Sequence, residues 1–93
     1  MPNSESSATR ALPQVDFSTF VLSLATAALY QLGAVPEAGS GTLPQPDPLV
    51  ARQTLETLEM LRDKTVGNLS EEERKLIDSL LYDLRMRFVE LRR

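Results

Sequence analysis

Between Asp16 and Val35 the chain carries no charged side chain after its first residue. That stretch limits the fold more than any other. Phe17, Phe20, Val21, Leu22, Leu24, Ala25, Ala27, Ala28, Leu29 and Leu32 cover most of the circumference of a helix, and only Thr19, Ser23, Thr26 and Tyr30 recur at helical spacing as a mildly polar stripe. A helix that is apolar nearly all round is expected to be buried nearly all round, in a shared protein core or in lipid. Asp16 is suited to cap its start, Gly33 to close it in the left-handed conformation, and Pro36 to stop it. The spacing therefore predicts a helix over about 16–33.

Two further helices follow from local signals. The segment 36–47 holds several Gly and Pro residues and reads as a loop, ending in Asp47-Pro48, an N-cap followed by proline at the first helical position. A helix over about 48–66 then turns Ala51, Leu55, Leu58, Leu61 and Thr65 to one face, with Leu49, Val50 and Met60 off that stripe. Gly67 and Asn68 end it. Ser70 and Glu73 form a capping box, opening a helix over about 70–91 with Leu76, Ile77, Leu80, Leu81, Leu84, Phe88 and Leu91 at core spacing. So short a turn makes these two helices an antiparallel hairpin. The expected fold is all-α: a single three-helix domain over 16–93 with a buried first helix, preceded by a disordered, Ser- and Ala-rich arm over 1–15.

A chain of 93 residues buries a modest core, and two partner helices cover only about two sides of the first one. The remaining side calls for another subunit, so a homo-oligomer is expected, a dimer first. Residues expected in the core or at that interface are Phe17, Phe20, Val21, Leu24, Ala28, Leu29, Leu32, Leu80, Leu84 and Phe88. A second expectation, for the helix over about 70–91, is electrostatic. Its acidic start and basic tail would match twice if two copies lay antiparallel.

Composition removes several chemistries. With no Cys and no His, the chain has no thiolate, no histidine base and no ordinary zinc site. The formal net charge of −3 argues against a general polyanion binder. Arg85, Arg87, Arg92 and Arg93 form a basic end that would attract an anion such as a phosphate, but cations at a helix C-terminus are favoured by the dipole in any case. Glu56, Glu59, Asp63, Glu72 and Glu73 are read as solvated helix faces, with Glu59 pairing to Arg62, Glu71 to Lys75 and Asp83 to Arg87, rather than as a metal site. Tyr30 and Tyr82 have no evident base and are read as packing residues. No catalytic residue, cofactor or metal is expected, and the chain is read as a non-enzyme.

The membrane alternative has the length, since about 20 apolar residues span a bilayer. Its flanks lack the Lys and Arg that normally accompany a spanning helix, and the same flanks make a poor secretion signal. A cytoplasmic location is the expectation.

Phe17-Ser-Thr-Phe-Val-Leu-Ser-Leu-Ala-Thr-Ala-Ala-Leu-Tyr-Gln-Leu-Gly33 resembles the opening of a small bacterial family catalogued as domain of unknown function 1844. Leu55-Glu-Thr-Leu-Glu-Met-Leu-Arg62, Gly67-Asn-Leu-Ser70 and Leu84-Arg-Met-Arg-Phe-Val89 are similar to its other recurring stretches. The resemblance runs from about Asp16 to Glu90. It implies a compact bacterial helical domain with no assigned activity, and so no functional residue to carry over. The function read from the chain is an oligomeric scaffold, adaptor or protein-interaction subunit. The second reading is a membrane-associated accessory protein anchored by the first helix, and nucleic-acid binding through the arginines comes after it.

Overall fold

A computed structural model describes residues 15–36, 39 and 41–92. Among them are three helices, α1 (Phe17–Gln31), α2 (Pro48–Lys64) and α3 (Glu71–Arg92), and no strand. All three pack on one another. The arm expected over 1–15 lies outside the described residues except for Val15, as do Arg93 and positions 37, 38 and 40 of the loop.

The boundaries from the start of α1 to the start of α3 rest on satisfied caps. Asp16 accepts from the amide of Thr19 at 2.7 Å and Asp47 from that of Val50 at 3.4 Å. The capping box is reciprocal: Glu73 N–H donates to Ser70 Oγ at 3.1 Å, and Ser70 N–H to Glu73 Oε1 at 2.8 Å. At the end of α1, Gly33 N–H donates to the Tyr30 carbonyl and Ala34 N–H to the Leu29 carbonyl, both at 2.9 Å. This is a Schellman closure with Gly33 at φ +71°. The loop then returns so that the Asp47 amide donates to the Gln31 carbonyl at 2.7 Å, and the Gln31 side chain takes the Thr54 hydroxyl at 2.7 Å. One end of α1 is thereby tied to the start of α2. α2 ends two residues before its expected limit, at Lys64, where Thr65 turns its hydroxyl onto the Leu61 carbonyl.

Directions follow from cross-helix pairs. Arg62 of α2 meets Asp78, and Glu59 meets Arg85, so the later residue of α3 pairs with the earlier residue of α2 and the hairpin is antiparallel. α1 also runs opposite to α2, and hence parallel to α3, whose Arg87 and Leu91 lie beside Leu32 and Ala34. The core consists of Val21, Ala25, Ala28 and Leu32 from the first segment, Ala51, Leu55 and Leu58 from α2, and Ile77, Leu81 and Leu84 from α3. Three alanines in that set let the helices approach closely, which an aliphatic, tryptophan-free composition favours.

Candidate interaction site

The core closes against only one side of α1. At 100° per residue Val21, Ala25, Ala28 and Leu32 fall on one line facing inward, and Thr19, Ser23, Thr26 and Tyr30 fall on the opposite line. The mildly polar stripe is therefore the outward face. Of the residues expected in the core or interface, Val21, Ala28, Leu32 and Leu84 are buried, while Phe17, Leu24, Leu29, Leu80 and Phe88 are partly buried against them. Phe20 lies outside the core of the single chain, on the side that two partner helices were expected to leave uncovered. It is 49% exposed, and Leu22 on the other flank is 46% exposed, because two helices cannot wrap a third. The open face of α1 thus runs from Phe20 across Ser23 and Thr26 to Leu22.

This face is prepared for dehydration. Ser23 donates its hydroxyl to the Phe20 carbonyl at 2.7 Å and Thr26 donates to the Leu22 carbonyl at 2.9 Å. Both hydroxyl protons are used within the helix, so covering this part of the face orphans neither of them. No charge has to be desolvated.

The charged residues pair both along single helices and across the α2–α3 hairpin. Glu59 does not pair with Arg62; it reaches Arg85 on α3 at 2.8 Å. Arg62 instead meets Asp78, whose Oδ1 faces it at ion-pair distance without a hydrogen-bonding angle, while Oδ2 accepts from Arg74 at 3.3 Å. Glu71 pairs with Arg74 at 2.6 Å rather than with Lys75, and this contact holds the Glu71 carboxyl below the usual range and raises the guanidinium of Arg74. The expected Asp83–Arg87 pair is present at 3.0 Å. Asp16 is likewise held low by the amide and hydroxyl of Thr19.

Of the four arginines singled out for anions, the three that are described do not converge. Arg85 turns to α2, Arg87 turns to Asp83 beside the end of α1, and Arg92 lies over the Phe88 ring with Cζ 5.7 Å from its centroid. Arg93 is outside the described residues. The carboxylates Glu56, Glu59, Asp63, Glu72 and Glu73 are also dispersed, and among the described residues no group of three or more acids is placed to hold a metal ion. A cleft of about 290 Å³ opens at the α2–α3 turn, lined by Val66 and Leu69 with Arg62, Arg74, Asp63 and Asp78. Its two cations and two anions cancel, so it selects neither sign of ligand. Tyr82 is exposed, as are Met86 and Val89 on the same helix, a stripe that the Leu-rich core pattern of α3 had obscured.

The length argument for a spanning helix is overturned: α1 has 15 residues, about 22 Å at 1.5 Å per residue, against a hydrocarbon core of about 30 Å. Among the described residues no helix is long and apolar enough to cross a membrane.

These elements define an all-α, three-helix domain whose distinctive surface is an uncharged helix face. Residues 14–90 match the family described as Domain of unknown function (DUF1844), and the chain belongs to that family. No curated protein and no solved structure matches it.

Proposed function

We propose that this chain is a non-enzymatic scaffold or adaptor subunit of the bacterial cytoplasm, which self-associates, as a dimer first of all, and presents the open face of α1 to protein. The observation that carries the proposal is the half-exposed position of the most apolar helix. Phe20 and Leu22 flank a surface without charge, with the Ser23 and Thr26 hydroxyl donors already satisfied. An uncharged surface flanked by half-exposed large apolar side chains suits an association site. The test is the absolute mass of the purified protein, by light scattering coupled to size exclusion without detergent. A mass of twice the 10.3 kDa chain supports self-association, and a monomer at every concentration contradicts it.

A second reading, peripheral attachment of the same face to a membrane, draws on the same absence of charge. Flotation with vesicles separates the two, because a protein-binding face leaves the chain in the aqueous fraction. Nucleic-acid binding has less support, since Arg85 and Arg87 already hold carboxylates.

A further inference from the structure

The second surface lies on α3. Tyr82, Met86 and Val89 are 69%, 48% and 53% exposed. With Lys75 and Ser79 before them they follow the alternating four- and three-residue spacing of a coiled-coil seam, which places all five along one line of the helix. This line borders the side of α3 that faces α2, since Asp78 and Arg85, which hold Arg62 and Glu59, adjoin it. It is separate from the open face of α1.

The charges around the stripe identify what covers it. On α3 most charged side chains are engaged within the chain: Glu71 and Asp78 with Arg74, Glu73 with the Ser70 amide, Arg85 with Glu59, and Asp83 with Arg87. Lys75 and Glu90 have no partner among the described residues. They lie 15 positions apart, one at each end of the stripe, with opposite signs. Their midpoint falls between Tyr82 and Asp83, about 11 Å along the helix from each. A second α3 laid antiparallel across a two-fold axis at that midpoint brings each Lys75 to the level of the other copy's Glu90. The same operation sets Met86 against Ser79 and brings the two Tyr82 rings together at the centre. A like-charged arrangement, or a parallel one, does not provide this match. Glu71 and Glu73 of the acidic start are already occupied, and Glu72, also without a partner among the described residues, comes level with position 93 of the second copy, outside the described residues, so the two-fold match rests on Lys75 and Glu90.

We infer that α3 is the seam of an antiparallel homodimer, with Tyr82, Met86 and Val89 as its apolar centre and two Lys75–Glu90 pairs fixing its register. This rests on the self-association proposed above and assigns it to α3, leaving both α1 faces open to a different protein. Three apolar side chains per chain make a small seam, so the dimer is concentration-dependent rather than permanent.

The test is sedimentation equilibrium over a dilution series on the full chain, with helicity followed to show that each variant is folded. Met86→Glu is expected to give a monomer. Lys75→Glu and Glu90→Lys each create two like-charged contacts and are expected to weaken the dimer by about tenfold or more, and the double variant K75E/E90K to restore it. Ser23→Glu on the open face of α1 is expected to leave the dimer unchanged. A dimer that survives Met86→Glu, or a charge swap without rescue, overturns the α3 seam; if Ser23→Glu dissociates that dimer, self-association stands and belongs to α1. An unaltered chain that is monomeric throughout overturns both.

Discussion

Gly33 carries two separate demands, and replacing it separates them. Its φ of +71° lies in the left-handed region, where an L side chain costs roughly 1–2 kcal/mol. An added Cβ would also stand 3.0 Å from the Pro44 carbonyl oxygen and 3.1 Å from Pro46 Cγ. The first neighbour is backbone and the second a stiff ring, so the loop has to move, at an overpacking cost of about 1–3 kcal/mol. That movement would strain the 2.7 Å bond from the Asp47 amide to the Gln31 carbonyl, which ties α1 to α2. Gly67 is the control. Its φ is +87°, but an added Cβ meets nothing within 4 Å. Alanine also restricts the unfolded chain, which offsets about 0.4–1 kcal/mol at either site. The expected losses are therefore about 2–4 kcal/mol for Gly33→Ala and about 1 kcal/mol or less for Gly67→Ala. Urea unfolding followed by circular dichroism measures both. For a domain of this size each kcal/mol is worth about 4–8 °C in Tm. Equal losses at the two sites would refute the close approach of the proline loop to the end of α1.

Other positions test other parts of the fold. Leu58 is fully buried at the centre of the core, and Leu58→Ala should cost about 2–5 kcal/mol in chemical denaturation. Ser70→Ala removes half of the capping box and should cost about 1 kcal/mol, seen in the same assay. The Asp16 carboxyl is held low by Thr19, so its contribution is fully present above its unfolded pKa of about 3.9 and is lost as pH falls through the lower folded value. Asp16→Asn keeps a capping oxygen that does not titrate, so a pH series of melting temperatures should show near-wild-type stability at neutral pH and a shallower acid limb. An unchanged acid limb would remove Asp16 from that role.

The caps made the helices legible. Asp16, Asp47-Pro48, Ser70 with Glu73, and Gly33 each announce a boundary by residue type, and each makes the bond that its type implies. The inward faces of α2 and α3 were legible for the same reason, since Leu55, Leu58, Ile77, Leu81 and Leu84 repeat at helical spacing. Less could be read of α1. An uncharged sequence says that a face can be buried, not which element buries it, and within the chain Phe20 is left half exposed. Pairing between helices was also beyond the sequence. Glu59 chooses Arg85 over the nearer Arg62 because the register of the hairpin places them side by side, and register depends on packing. The Tyr82, Met86 and Val89 stripe was in the sequence, but it stands opposite the stronger pattern of Ile77, Leu81, Leu84, Phe88 and Leu91, two positions further along the helix.

The most direct measurement is the solution mass of the unaltered chain across a dilution series without detergent. The account predicts a dimer, twice the 10.3 kDa chain mass, that dissociates on dilution. A monomer that persists to the highest concentration would contradict it.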